Sequence, residues 1–302
     1  MVEQLLNEMP LLKDFQEVKK IDKGFSSDEK YFVSVKHSDE KFSVRFFPIE
    51  QIDERLREYN LINSIGIHSP KTIRGKNCGV IRGKGYMITN YVEGVDAEEI
   101  LPTLSEEAQN SIGYEAGQEL LKIHQVQAPE HIEDWGDRKQ RKHLRYLEAY
   151  RQCGFKLEQD EKLIQFISDH MHLMKNRPNV FLHDDYHPCN LIVQNGVLNG
   201  VIDFGRYDWG DPLHEFLKTG QFSRNISIPF SIGLIQGYSQ GDEPSEEFWT
   251  LYSLYLAMSV FSSIVWSLKV APDTFESMLD KINLVLQDHH YFDEVTPKWY
   301  KV

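Results

Sequence analysis

His183-Asp184-Asp185-Tyr186-His187-Pro188-Cys189-Asn190 and, twelve residues further on, Ile202-Asp203-Phe204-Gly205 form the stretch whose reading decides the fold. Between the two pieces stand Leu191-Ile192-Val193, Asn195-Gly196 and Val197-Leu198. An Asn-Gly pair between apolar runs signals a hairpin, because both residues accept the positive φ that a type I′ turn requires. With Asn195-Gly196 as a two-residue loop, Asn190 falls opposite Val201 and Asp203 opposite Pro188, so Asn190 and Asp203 become diagonal neighbours on one face. Such neighbours lie roughly 7–8 Å apart, a span from which an amide oxygen and a carboxylate can converge on a hard, oxygen-preferring cation. Asp185, five residues before Asn190, sits in the loop entering the hairpin, where a carboxylate reaches an incoming hydroxyl without joining the metal's ligands. The order His-x-Asp-x-x-x-x-Asn, then Asp-Phe-Gly, supplies one base and two magnesium ligands for phosphoryl transfer from a nucleotide, a reaction governed mostly by positioning and charge stabilisation. A surface loop merely rich in Asp and His has no reason to keep eight spaced positions and an Asp-Phe-Gly behind a hairpin. His183 reads as a brace of the loop and His187-Pro188 as the fix of its turn, since no His/Cys spacing here matches a zinc site.

Toward the N-terminus, Tyr31, Val33 and Val35 alternate with Lys30, Phe32 and Ser34, and Phe42, Val44 and Phe46 alternate with Ser43, Arg45 and Phe47. This period of two predicts strands, with a turn at residues 37–40 and Arg45 facing away from the Phe42 face. Ile52, Leu56, Tyr59 and Ile62 then follow helical spacing from about Gln51, with Gly66 as the expected stop. Two more strands are expected to flank Gly83-Lys84-Gly85, the second running through Asn90 and Val92 to Gly94, where the lobe boundary is placed. Beyond it, residues 103–106 have capping-box spacing ahead of a core-facing stripe of Ile112, Ala116, Leu120 and His124. Residues 160–175 and the stretch from Phe248 onward also read as helix. The expected fold class is α+β: an N-terminal lobe, residues 1–94, with a five-stranded sheet and one helix, then a larger, mainly helical lobe, residues 95–302.

At 302 residues the chain buries a substantial core, and two such lobes account for all of it. Cys78, Cys153 and Cys189 are odd in number and unpatterned, which suits a reducing compartment, the cytoplasm by default. Glu3 and Glu8 in the first residues exclude a secretory signal. Residues 250–268 carry no charge, but five serines and two tyrosines make a buried helix the better reading than a membrane span. Residues 1–94 hold 15 Lys+Arg against 14 Asp+Glu, and residues 95–302 hold 18 against 32, so the net charge of −13 belongs to the second lobe. A field of that sign disfavours nucleic acid and anionic membranes and favours a cationic small molecule, although an acidic surface also simply keeps a protein soluble.

With these pieces in order, the chain resembles the aminoglycoside phosphotransferase family, which shares a bilobal protein-kinase-like fold with choline kinases and macrolide phosphotransferases. The resemblance spans nearly the full length and is most specific from His183 through Asp203-Phe204-Gly205-Arg206 to Asp211-Pro212. It implies Asp185 as the catalytic base, Asn190 and Asp203 as ligands of Mg2+, ATP or GTP as donor, and Asp211 as a cap or buttress of the catalytic loop. It also implies base recognition by the backbone of Asn90 and Val92. Where relatives carry a Lys paired with a helix Glu, this chain has Arg45 and Glu58, with Lys30 in the preceding strand as the rival phosphate ligand. Only Gly24 precedes Phe25-Ser26-Ser27, so backbone amides and the hydroxyls of Ser26 and Ser27 are left to cover the phosphates. Five residues between Asp-Phe-Gly and Asp211-Pro212 leave no room for a peptide platform, which turns the reading from a protein kinase to a small hydroxylated acceptor. Asp184, Asp208, Glu215 and residues 130–137 are candidates to bind its amines. An aminoglycoside would make this an antibiotic-resistance activity; a macrolide, a choline-like amine or a sugar fits the same motifs, as does a nucleotide-binding pseudokinase scaffold. A monomer is the default state.

Overall fold

The computed structural model describes residues 2–22 and 28–301. The phosphate-loop residues Gly24, Ser26 and Ser27 lie outside the described residues. The chain divides into two compact units, residues 1–94 with 199–205, and residues 95–198 with 206–302.

The first unit opens with helix α1 (Val2–Glu8) and then strands β1 (Phe15–Ile21), β2 (Glu29–Val35) and β3 (Lys41–Pro48). Helix α2 (Ile52–His68) and strands β4 (Gly75–Ile81) and β5 (Lys84–Asn90) complete it, giving an antiparallel five-stranded sheet in the order β1-β2-β3-β5-β4. The alternation in β3 sends Phe42, Val44 and Phe46 into a core with Leu5, Leu6, Met9 and Leu12 of the N-terminal segment. Arg45 is left on the opposite face, as its period-two position requires. Lys30 is the cross-strand partner of Arg45, so both side chains leave the same face. Segment 199–205 joins this unit through Val201, whose amide donates to Lys71 O at 2.9 Å and whose carbonyl accepts from Ile73 at 3.2 Å.

Two local expectations are corrected here. Gly66 does not end α2; it lies buried within it, where a Cβ would fall 1.5 Å from Arg74 Nη1, so glycine serves a close approach and the helix stops at His68 before Ser69-Pro70. The β4–β5 turn is Arg82-Gly83, with φ of 45° and 78°, and Lys84 and Gly85 already belong to β5.

The second unit begins with β6 (Val95–Asp96), α3 (Ala97–Ile100), α4 (Glu106–Ile123), α5 (Trp135–Gln152) and α6 (Asp160–His170). Strand β7 (Val180–Leu182) leads to the loop that carries Asp185, and β8 (Leu191–Gln194) and β9 (Val197–Val201) form the expected hairpin. Its turn residues Asn195 and Gly196 have φ of 53° and 80°, the sign pair of a type I′ turn. Strand β10 (Asp208–Gly210) pairs with β7, and α7 (Arg224–Ile226), α8 (Ile228–Tyr238), α9 (Glu246–Val270) and α10 (Phe275–Asp288) finish the unit.

The stripe Ile112, Ala116, Leu120 and His124 is buried along α4, but the helix is capped by Ser105, which accepts from Ala108 N, and not by a 103–106 capping box. Thr103 instead donates its hydroxyl to Ile100 O at 2.7 Å. Helix α6 is shorter than the 160–175 expectation, because a 3₁₀ turn takes over at Met171–Met174. Helix α9 is long and apolar enough to cross a membrane by length and composition alone; yet 78% of its most apolar window is buried inside the protein, as a core helix requires.

Burial lowers the His143 and His289 imidazoles to about 4, aided at His143 by Lys139 and opposed at His289 by a hydrogen bond to Glu294 O. Both folded values lie below the ordinary value of 6.5. The unfolded chain therefore gains these protons first as pH falls, and stability that is complete above pH ~6.5 is lost down to pH ~4 at about 1.4 kcal/mol per pH unit per histidine. The melting temperature is expected to fall steadily between pH ~6.5 and ~5, and His143→Phe, which keeps a ring against Phe261, to flatten part of that slope. A melting temperature independent of pH over this range would show both imidazoles to be hydrated in the folded chain.

Candidate active site

Strand β7 delivers the chain into the loop through His183, which is fully buried with Tyr186 edge-on to its ring. What holds the loop is Glu215. Its carboxylate is 2% exposed and accepts the backbone amides of Asp184 at 3.2 Å and Tyr186 at 3.3 Å, the two residues that straddle Asp185. Burial alone would raise the Glu215 carboxyl, but the His124 imidazole at 3.7 Å, the nearby His183 and the Asp184 amide outweigh it and keep it below the ordinary carboxylate value. His124, expected on the core-facing stripe, is buried at the end of α4 and bonds Tyr238 Oη through Nδ1 at 2.9 Å.

Glu215 is itself placed by Asp211. That carboxylate is fully buried, caps the turn Pro212–Phe216 by accepting from Leu213 N at 3.0 Å, and takes bonds from Arg177 Nε and Tyr255 Oη, each at 2.7 Å. A buried carboxylate this well supplied with donors is anchored rather than reactive.

Asp185 is held on three sides. Lys218 Nζ donates to its Oδ1 at 2.9 Å, His187 Nε2 lies 3.4 Å from the same oxygen, and Asn190 Nδ2 donates to its backbone carbonyl at 2.9 Å. Burial pushes the carboxyl up, but His187 and Lys218 prevail and hold it far below the usual range. An aspartate so fixed is ionised, the form that can orient a hydroxyl through a charge-assisted hydrogen bond and take up its proton. His187 does fix the turn, its carbonyl accepting from Asn190 N at 2.9 Å, and its ring also stacks on Phe222 with centroids 5.3 Å apart. Asp184 has φ of 58°, a left-handed position that Asp tolerates better than most residues and that lets the chain turn sharply just before Asp185.

In the first unit, Arg45 lies 3.8 Å from Asp28, 3.6 Å from Glu58 and 3.9 Å from Asp203. The expected Arg45–Glu58 pair exists, but Glu58 has a closer partner in Arg55, at 2.8 Å, which also reaches Asp28 at 3.0 Å. Arg55 was absent from the sequence reading, although its i, i+3 spacing to Glu58 on α2 was available. Burial and then Arg45 lower the Lys30 ammonium. Asp203 has φ of 63°, again left-handed, and its side chain is 46% exposed. The Asn90 amide donates to Arg74 O at 3.0 Å and is thereby engaged within the unit, and Val92 packs under Gly200.

Several of the acids expected to receive amines are already in use. Asp208 pairs with Arg138 at 3.1 Å, Glu133 with Arg141 at 2.5 Å, and Asp134 caps α5. Lys218, bonded to Asp185, and Phe222, stacked on His187, were not singled out from sequence; the interruption of the apolar Leu213, Phe216 and Leu217 by Glu215 and Lys218 was the one available hint.

The donors expected for magnesium fit the ion chemically. With the Asn190 nitrogen committed to the Asp185 carbonyl, the amide oxygen remains as ligand atom, and Asp203 offers an accessible carboxylate. Among the described residues no group of three or more His, Cys, Asp and Glu forms a metal cage. An amide oxygen and a carboxylate are each donor types that magnesium accepts.

Residues 17–249 match the family model described as the phosphotransferase enzyme family. No curated protein sequence matches the chain. Among solved structures, aminoglycoside phosphotransferase APH(2'')-IIa in a ternary complex with streptomycin and ATP aligns with a TM-score of 0.64 and 16% identity, covering 100% of this chain and 98% of its own. A thermostable mutant of APH(4)-Ia bound to AMP-PNP and hygromycin B gives a TM-score of 0.68 at 14% identity, covering 94% and 97%. A protein described as a fructosamine-3-kinase, from Haemophilus somnus, gives 0.64 at 13%, covering 94% and 96%. At such identities the likeness is one of fold.

Because Arg45 touches three carboxylates while Lys30 touches none within ion-pair distance among the described residues, Arg45→Ala is expected to raise the nucleotide KM by roughly 10- to 100-fold, the loss of charge-assisted bonds worth about 1.5–3 kcal/mol. Lys30→Ala should change it by less. Steady-state kinetics on the two variants decide; the opposite ranking transfers phosphate anchoring to Lys30.

Proposed function

The chain belongs to that phosphotransferase enzyme family, and from this premise we propose that it moves the γ-phosphoryl group of ATP to a hydroxyl of a small acceptor, with Asp185 as the base. The observation that carries the reading is the held Asp185 carboxylate, with Lys218 and His187 on Oδ1 and flanking amides tied to Glu215. The acceptor oxygen forms a bond to the γ-phosphorus, the bond to the β-phosphate bridging oxygen breaks, the nucleoside diphosphate leaves, and the hydroxyl proton passes to Asp185. Arg45, kept in place by Glu58 and Asp28, and Lys30 on the same face are the proposed phosphate anchors, with Gly24, Ser26 and Ser27 covering the phosphates. Asn90 and Val92 are the proposed base-recognition positions. Asn190 and Asp203 are the proposed magnesium ligands, and the ion would neutralise charge on the phosphoryl oxygens. GTP in place of ATP is the alternative donor.

The acidity of residues 95–302 supports an acceptor with amino groups, of which aminoglycosides are one class, and an aminoglycoside acceptor would make the activity one of antibiotic resistance. Asp208, Glu133 and Glu215 are engaged within the protein, so net charge and Asp184, the neighbour of Asp185 in the chain, are what support an acceptor with amino groups. Three free cysteines fit a cytoplasmic location, and a single chain is the proposed working unit.

Asp185→Asn is isosteric. It is expected to keep magnesium-dependent thermal stabilisation by ATP and to lower transfer by about 10²–10⁴-fold, the range for loss of a positioned base. Product mass after incubation with a panel of hydroxylated compounds reads the transfer. Undiminished transfer by Asp185→Asn removes Asp185 from the role, and nucleotide binding without transfer by the wild type favours the scaffold reading.

A further inference from the structure

Lys139 on α5 points its ammonium into the neighbourhood of the catalytic loop. Its Nζ lies 2.6 Å from His214 Nε2 and over the rings of Trp135, at 5.5 Å, and Tyr255, at 6.0 Å. An ammonium has only protons to give, so Lys139 donates and His214 Nε2 accepts. The imidazole is then neutral, with its proton on Nδ1, 3.5 Å from Asp184 Oδ1. Lys139 is in this way linked through His214 to the residue next to Asp185.

What Lys139 lacks is an anion. Among the described residues, no carboxylate lies within ion-pair distance of its Nζ. Asp208 is committed to Arg138 and to Trp209 N, and Asp184 acts on Lys139 only at longer range. Lys142 and Lys218 act on it in the opposite sense, and burial with Lys142 drops the ammonium to about 7. A desolvated cation is ordinarily paired, and aromatic faces offset only part of the cost. Lys139 is nevertheless not sealed in, since its side chain is only half-buried and Asp184 keeps 28% exposure. Lys142 stands exposed one turn away on the same helix. Lys139, Lys142 and Lys218 thus all act on Asp184, next to the base, and among the described residues only Lys218 of the three has a carboxylate within ion-pair distance.

We propose that Lys139, seated on His214 and flanked by Lys142 and Lys218, forms a subsite for an oxyanion group of the acceptor, a carboxylate or a phosphate ester on the same small molecule as the reacting hydroxyl. This rests on Asp185 being the base, and it narrows the acceptor to anionic or zwitterionic hydroxyl compounds, whatever amines they also carry. Lys218 is divided between Asp185 and the Phe222 ring at 5.2 Å, so Lys139 and Lys142 bear most of the recognition.

The test uses the full chain with magnesium and ATP, read by nucleoside diphosphate release and product mass. One arm offers hydroxy acids, hydroxy amino acids and sugar acids, a second offers sugar phosphates, and controls are their amides or dephosphorylated forms and a set of aminoglycosides. One anionic arm is expected to be turned over with kcat/KM at least ~100-fold above its neutral counterpart. Lys139→Met should raise KM for that acceptor by roughly 10- to 100-fold and leave the nucleotide KM and the neutral analogue unchanged, with partial rescue by Lys139→Arg. Should Lys139→Met fold poorly, Lys142→Ser, on the exposed face, is expected to give a smaller KM increase confined to the anionic acceptor. A neutral or polycationic acceptor that is best of the panel and indifferent to Lys139→Met overturns the subsite while leaving the transferase intact. No phosphorylated product from any arm, in a protein that binds magnesium and ATP, overturns the transferase reading and the subsite with it.

Discussion

The loop that carries Asp185 depends on one buried carboxylate. Glu215 accepts the amides on either side of Asp185, so the backbone there has no freedom to rotate without abandoning a charge-assisted bond inside the protein. Glu215 stays charged at this depth because His124, His183 and the Asp184 amide compensate it. Its own position is set by the turn that Asp211 caps, and Asp211 is locked by Arg177 and Tyr255. The order of dependence runs from a buried salt bridge to a capped turn, to a loop anchor, to Asp185.

The same logic separates two kinds of acid in this chain. Asp211, Glu215 and Glu58 are buried and saturated with donors, which makes them structural whatever their nearness to a site. Asp185 and Asp203, the proposed base and metal ligand, keep partial exposure instead. Exposure, rather than residue type, tells them apart. Arg45 occupies an intermediate place: its three carboxylate neighbours all lie at 3.6–3.9 Å, close enough to orient the guanidinium and too far to exhaust its donors.

Net charge and local charge disagree near the loop, and the local term governs recognition. Opposite charges within a few ångströms in a partly desolvated site interact far more strongly than exposed charges more than a Debye length away. The −13 of the whole chain therefore describes solubility and long-range steering, while Lys139, Lys142 and Lys218 describe what the neighbourhood of Asp185 attracts.

The five strands, the α2 helix, the Asn195-Gly196 hairpin and the mainly helical second part were legible in the sequence, because period-two alternation, helical spacing and positive-φ turn residues are local properties of the chain. So was the order of Asp185, Asn190 and Asp203, since motif spacing is itself a sequence fact. Helix ends were less legible: Gly66 sits inside α2 because Arg74 from a later segment crosses it, and Ser105 takes the cap that Thr103 was expected to provide. The anchoring of the loop by Glu215, the grip of Lys218 on Asp185, the Arg55–Glu58 pair and the seat of Lys139 on His214 were decided by the tertiary structure. All but Arg55–Glu58 join residues about 30 to 75 positions apart, and local spacing cannot say which of many charged residues will be brought together when the core closes.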